Sequence, residues 1–111
     1  MKEEINYDDF KKLDIRIGEV VSAERVPETD KLLRCEVSFG DDVGTRIIVS
    51  GIAEHVSPED IVGKKFPYLV NLASRTIRGV ESQGMILAIG GDIFSLIAPE
   101  NNDVLPGTPI S

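Results

Sequence analysis

The order in which short apolar runs follow one another constrains this chain more than any other feature of its sequence. In Leu32–Phe39 every second residue is apolar, which is typical of a strand with one buried face. Five such runs have the length or the alternation of strands: Asp14–Val26, Leu32–Phe39, Thr45–Ser50, Lys65–Leu72 and Met85–Ile89. A compact helix start, Ser57-Pro58-Glu59-Asp60, separates the third run from the fourth. We therefore predict three strands, a short helix and two further strands.

This is the element order of the OB fold, a small Greek-key barrel whose loops and strand faces bind oligonucleotides. The first run supports closure of a barrel, because its alternation changes phase after Gly18, where both Val20 and Val21 are apolar. A bulge or bend of this kind lets a strand curve around a small barrel. We expect an all-β protein with short helices, built as one domain over residues 1–111 with a five-stranded barrel at about residues 14–90.

Two segments lie outside the predicted barrel. Asn6–Leu13 has the pattern of a short amphipathic helix, with Asn6 as its cap and Phe10 and Leu13 on its apolar side. Ile93–Ala98 is an additional apolar run that precedes a proline-rich tail. Because so short a helix is unstable alone, we expect both segments to pack against a second copy in a homodimer. The alternative is that they close the ends of a single barrel.

The distribution of charge leaves room for an anionic partner despite a net charge of −7. Residues 1–30 contain nine acids and five bases, and residues 91–111 contain three acids and no base. Residues 31–90 contain seven of each, and several of their bases are paired: Lys31 with Arg34, Lys64 with Lys65 and Arg75 with Arg78. A local basic patch in the middle of the chain is therefore compatible with the sequence, although the acidity lowers the expected affinity for nucleic acid.

No pattern in the sequence supports catalysis, a cofactor or a metal site. His55 has no second His or Cys near it, and Cys35 lies on the apolar face of the second predicted strand. Gly79–Gly84 is not a nucleophile elbow, because Val80 occupies the position that requires glycine. The polar N-terminus is not a secretory signal, no apolar run could span a membrane, and a single cysteine fits a reducing compartment. We expect a cytoplasmic protein that is not an enzyme.

The polar stretch Asn71–Leu87, between the fourth and fifth predicted strands, is the candidate binding loop. Arg75 and Arg78 are three residues apart in it, so both guanidinium groups could reach one anionic ligand. The alternative interpretation is that both arginines only keep a hairpin soluble.

Five motifs follow one another through the chain: Asp9–Gly18, Asp30–Leu33, Ile48–Ala53, Asn71–Ala73 and Arg78–Ala88. In order and spacing they resemble the tRNA-binding domain of free-standing tRNA-binding proteins and of the C-terminal extensions of methionyl-tRNA synthetases. The resemblance implies an OB fold, usually homodimeric, that grips the outer corner of tRNA without regard to tRNA identity. It also implies a role as a synthetase cofactor, in cis or in trans.

The resemblance further implies which side chains meet tRNA. Lys31 and Arg78 correspond to phosphate contacts, and Arg75 is added as a candidate because of its spacing from Arg78 in the loop. The other corresponding positions are hydrogen-bonding or apolar contacts: Asn71, Ser82, Gln83 and Met85. The family commonly has Pro-Arg-Lys after Asn-Leu-Ala, where this chain has Ser74-Arg75-Thr76 and hence one base fewer.

A sister branch, the CsaA-type export chaperones, shares the opening motif and the fold. Those proteins diverge in the turn after the third strand and after the fourth strand, where this chain keeps Val49–Ile52 and Ser82–Met85. We therefore favour tRNA binding. The alternatives are a chaperone that binds unfolded preprotein segments and a protein-assembly module with weak RNA binding.

Overall fold

The computed structural model describes all residues, 1–111, and consists of short strands with three helices of about one turn each. The helices are α1 (Tyr7–Lys11), α2 (Gly40–Val43) and α3 (Pro58–Ile61). The strands are β1 (Ile15–Arg25), β2 (Leu33–Ser38), β3 (Thr45–Ser50), β4 (Lys65–Leu69), β5 (Arg75–Ile77), β6 (Val80–Ser82), β7 (Met85–Ile86), β8 (Ala88–Ile89), β9 (Ser95–Leu96) and β10 (Pro109–Ile110). None of the helices is long and apolar enough to cross a membrane.

Five antiparallel strands form the barrel, in the order β3-β2-β1-β4-β7. The long strand β1 pairs with β2 along its second half and with β4 along its first half. Its register with β2 shifts between Val20 and Ser22, so the bulge that the sequence predicts is confirmed, and Val21 is half exposed there. The predicted OB-type barrel with short helices is also confirmed.

The core fills the inside of this barrel with the alternating side chains of its strands. Phe39 and Tyr68 meet edge to face with ring centroids 5.3 Å apart, and both are fully buried. Gly18 makes room for Val37 and Phe39, since a Cβ atom there would lie 2.5 Å from Val37 Cγ1 and 2.6 Å from Phe39 Cε1. Burial raises the pKa of the Cys35 thiol to about 11, in agreement with its predicted place in the core.

The barrel closes through hydrogen bonds between β3 and the segment that joins β6 to β7. The Gln83 amide N–H donates to the Ile47 carbonyl (2.8 Å), and the Ile47 N–H donates to Gln83 Oε1 (3.0 Å). The Val49 N–H donates to Ser82 Oγ (3.0 Å), and Arg46 donates to the Gln83 carbonyl (3.3 Å). At this seam of the barrel, the side chains of Ser82 and Gln83 thus accept hydrogen bonds that backbone carbonyls of a neighbouring strand would otherwise accept.

The structure departs from the predicted elements in three places. The fifth predicted strand divides at Leu87, so that β7 completes the barrel while β8 turns aside to pair with β9. The polar stretch contains a small hairpin, β5–β6, that the sequence did not predict. The proline-rich tail adds a strand outside the five predicted ones, β10, which pairs with Ile15 and Arg16 of β1.

The two ends of the chain behave differently. The tail belongs to the barrel, because Gly107 N–H donates to the Ile17 carbonyl (2.7 Å) and the Ile17 N–H donates to the Thr108 carbonyl (3.0 Å). Helix α1 begins at the predicted cap, where Asn6 Oδ1 accepts from the Asp9 N–H (3.0 Å). However, α1 buries no residue, and Tyr7 is 70% exposed.

Candidate nucleic-acid interface

Two tight turns carry the only non-glycine residues with positive φ, Glu28 and Arg78. Glu28 (φ 63°) follows Pro27 in the turn Val26–Thr29, the arrangement of a type II turn, and the Thr29 N–H donates to the Val26 carbonyl (3.3 Å). Arg78 (φ 52°) and Gly79 (φ 80°) form the two-residue turn of the β5–β6 hairpin, which matches type I′. Strained, non-glycine conformations of this kind cluster at functional sites.

Both turns border one surface depression, which we call the cation cleft. It is lined by Glu28, Thr29, Asp30, Lys31, Leu32 and Arg78. The motif Ile48–Ala53 fixes the Lys31 backbone, because the Ala53 N–H donates to the Lys31 carbonyl (2.9 Å) and the Ala53 carbonyl accepts from Arg25 (3.1 Å). Two bases that are far apart in the sequence are therefore brought together on a rigid barrel end.

The basic side chains around this cleft form no ion pair with a carboxylate of the protein. The ion pairs of the structure are Lys12–Asp9, Arg16–Asp14, Arg16–Asp42 and Arg34–Glu24. Lys31, Arg75 and Arg78 are exposed and belong to none of them. The carboxylates of Glu28 and Asp30 share the cation cleft but form no ion pair within 4.0 Å. The cleft is thus balanced in formal charge, and its bases remain free to meet an anion.

A second depression adjoins the cation cleft and shares Leu32 with it; we call it the apolar pocket. Its lining is mostly apolar: Leu32, Val49, Ser50, Gly51, Ile52, Arg75, Ile77, Met85, Ile86 and Ala88. Arg75 enters from β5 and Met85 from β7, with 39% of the Met85 residue exposed. The β5–β6 hairpin therefore contributes one arginine to each depression.

The structure brings four of the seven sequence-predicted site residues to these depressions. Lys31 and Arg78 lie in the cation cleft, and Arg75 and Met85 lie in the apolar pocket. No group of three His, Cys, Asp or Glu side chains is arranged to hold a metal ion.

The other three predicted residues line neither depression, and their side chains are used within the fold. Asn71 Oδ1 accepts from the Asp14 N–H (2.9 Å) while its Nδ2 donates to the Lys12 carbonyl (2.7 Å), which ties the end of α1 to the end of β4. Ser82 is 4% exposed, and both it and Gln83 form the seam of the barrel.

Leu32 is among the residues of the interface that sequence reasoning missed, and it is the one that lines both depressions. It joins the two depressions, yet it looks like an ordinary member of a strand run. A signal was present, since Leu32 and Leu33 are consecutive apolar residues and only Leu33 fits the alternating buried face of β2.

Residues 15–109 match the family model described as "Putative tRNA binding domain". The chain belongs to this family. The match begins at the first residue of β1 and ends at Pro109, the first residue of β10. The family found by resemblance from the sequence motifs is thereby confirmed.

Relatives include parts of larger enzymes and proteins of the same size. A methionine–tRNA ligase of Flavobacterium psychrophilum is 58% identical over 86 residues, which are 78% of this chain but 12% of the ligase. The crystal structure of a MetRS-related protein from Pyrococcus horikoshii is 36% identical and superposes with a TM-score of 0.91, covering 99% of this chain and 100% of that one. The chaperone CsaA from Bacillus anthracis is 30% identical with a TM-score of 0.86, covering 98% and 100%.

Proposed function

We propose that this domain is a non-catalytic module that holds the outer corner of tRNA by its shape. The observation that carries the proposal is the cation cleft, in which Lys31 and Arg78 converge from two separate turns with no carboxylate paired to either. An arginine can contact a phosphate through two parallel hydrogen bonds, whereas a lysine contributes a compact charge. Together they suit two neighbouring phosphates of one backbone.

Such contacts read the backbone rather than the bases, so we expect weak discrimination among tRNAs and a strong dependence on salt. Glu28 and Asp30 in the same cleft keep the affinity modest. We assign direct contacts to Lys31, Arg75, Arg78 and Met85. We assign Asn71, Ser82 and Gln83 a supporting role, since Asn71 ties α1 to the end of β4 and the other two close the barrel at β3.

The biological role that we propose is to raise the local concentration of tRNA at an aminoacyl-tRNA synthetase in the cytoplasm. The methionyl enzyme is the candidate, because ligases of this specificity contain a similar segment. A weak RNA module acts in this way when it is joined to, or associates with, a second binding site for the same tRNA.

We further propose that the domain is a homodimer joined through its terminal segments. Helix α1 buries nothing of its own, and Ile5, Tyr7 and Leu13 on or beside it are 66%, 70% and 46% exposed. Burial of these side chains against a second copy would supply the stability that a helix of five residues lacks.

The second candidate function is that of a chaperone for unfolded preprotein segments. Besides the similarity to CsaA, one feature favours it: an apolar groove between the barrel and the tail. The groove is lined by Ile17, Pro67, Ile97, Ala98, Pro99, Val104, Thr108, Pro109 and Ile110. The third candidate is an assembly module with weak RNA binding. It requires that the function of the domain not depend on the cation cleft.

One experiment separates the three. The native domain, Lys31→Ala and Arg78→Ala are immobilised, with Lys64→Ala as a control that removes an exposed base outside the cleft. Bulk tRNA and an unfolded peptide are passed over them as salt rises. The proposal expects tRNA to be held at low salt only, and each cleft variant to lose about tenfold in affinity while Lys64→Ala does not. Peptide retained at high salt with no tRNA retained at low salt would favour the chaperone, and an unaffected Arg78→Ala would favour the assembly module.

A further inference from the structure

We infer that the apolar pocket accepts one unstacked nucleobase of the bound tRNA. This inference rests on the proposed function and extends it, because the cation cleft alone offers contacts only to phosphates. The pocket adjoins the cleft and shares Leu32 with it, so a nucleotide whose phosphate lies at Lys31 or Arg78 can direct its base to the pocket.

The chemistry of the pocket matches a base. A nucleobase presents two flat apolar faces and a polar edge, and the pocket combines apolar walls from Leu32, Ile77 and Met85 with Arg75 and Ser50 as polar members of its lining. A methionine thioether makes favourable contacts with aromatic rings, and a planar guanidinium stacks on bases. Arg75 is available for stacking because it takes part in no ion pair.

The occupant has to be an unpaired nucleotide. In an A-form duplex the faces of the bases are hidden by stacking, and only the backbone and groove edges can be reached. Unpaired bases at loops and corners can turn outward, so this pocket would let a domain with a sequence-blind cation cleft prefer folded tRNA to ordinary double-stranded RNA.

The chain has two methionines, which allows the pocket to be observed directly. Met85 lies in the pocket, whereas Met1 is fully exposed at the N-terminus and serves as the internal reference. The full chain is labelled with 13C at the methionine methyl groups and titrated with bulk tRNA or with a fully paired RNA duplex. We expect tRNA to move the Met85 methyl signal upfield through the ring current of a base, and the duplex to leave it in place while still binding.

Variants provide the matching affinity measurement. Met85→Ala should lower the affinity for tRNA roughly tenfold, within the range for one stacked base, and leave the affinity for the duplex unchanged. Arg78→Ala should lower the affinity for both RNAs. Ile93→Ala removes an apolar side chain that is 80% exposed and outside the pocket, so it should weaken neither.

The outcomes separate this inference from the function on which it rests. If tRNA binds and depends on Arg78, but the Met85 methyl stays in place and Met85→Ala has no effect, the base pocket is overturned and the cation cleft stands. Binding of neither RNA would overturn both. An unfolded peptide that shifts the Met85 methyl when tRNA does not would instead assign the pocket to apolar side chains of a polypeptide.

Discussion

Arg78 adopts a backbone conformation that an arginine rarely takes, at the tip of a hairpin where glycine or asparagine is the usual choice. A side chain in the left-handed region costs roughly 1 kcal/mol, and the Arg78 side chain forms no ion pair within the fold that would offset this cost. An asparagine at this position could not supply the positive charge or the reach of the guanidinium group at the cleft.

We therefore predict that Arg78→Asn keeps or raises the free energy of unfolding while it weakens tRNA binding. Asparagine tolerates positive φ, so the change in stability should lie between zero and about 1 kcal/mol in the stabilising direction. Urea denaturation of the native domain, Arg78→Asn and Arg78→Ala provides the measurement, with the alanine variant expected to be the least stable. A loss of more than about 1 kcal/mol in Arg78→Asn would mean that the arginine has a structural role.

Cys35 gives the second prediction, which concerns pH. Burial raises its pKa from 9.0 to about 11, so the unfolded chain releases the thiol proton first and stability falls as pH rises through this range. The contribution to the slope is largest near pH 10, midway between the two pKa values, where it is about 1 kcal/mol per pH unit. Above that range Tyr68, whose pKa is also raised by burial, adds to the loss. The measurement is urea denaturation at several pH values. Cys35→Ala should show a shallower decline, and equal slopes would contradict the assignment.

The barrel seam explains why two of the predicted contact residues, Ser82 and Gln83, are used inside the fold. Strand β3 forms no regular ladder of hydrogen bonds with β7. Instead, hydrogen bonds between β3 (Ile47 and Val49) and the residues Ser82 and Gln83 close the barrel. A polar motif such as Ser-Gln-Gly can therefore recur in a family for closure as well as for contact with RNA.

We predict that Ser82→Ala lowers the free energy of unfolding by about 1–3 kcal/mol, because it leaves the buried Val49 N–H without a partner. Ser22→Ala, at an exposed serine of β1, is the matched control and should change it by less than about 0.5 kcal/mol. Thermal denaturation followed by circular dichroism is sufficient. A variant as stable as the native domain would show that the seam does not need this hydroxyl group.

The elements that could be predicted from sequence are those that local patterns specify. β2 was predictable because its side chains alternate between core and surface, and α1 because Asn6 caps it. The hairpin β5–β6 was not, since strands of three residues without alternation carry no periodic signal. For the site, the motif resemblance indicated Lys31 and Arg78, but a polar side chain in a loop looks the same whether it faces solvent or a barrel seam. Ser82 is the example.

For the molecule as a whole, the exposed α1 leads to a prediction about assembly. Tyr7→Asp should convert the proposed dimer to a monomer, because the charge would have to be buried against the second copy. Sedimentation velocity at several concentrations measures this, with Val62→Asp as a control at an exposed apolar residue outside both terminal segments. A native domain that sediments as a monomer at every concentration would contradict the dimer. A Tyr7→Asp variant that is folded and still dimeric would show that the α1 surface is not the dimer interface.

The central claim is that Lys31 and Arg78 together neutralise phosphates of tRNA. Each phosphate contact adds about one unit to the slope of log K against log salt concentration, so the number of contacts can be counted. The measurement is the tRNA affinity of the native domain and of Lys31→Ala/Arg78→Ala over a series of salt concentrations. We predict that the double variant binds more weakly and that the magnitude of its slope is smaller by about two. A slope identical to that of the native domain would contradict the claim, because the phosphates would then be held elsewhere.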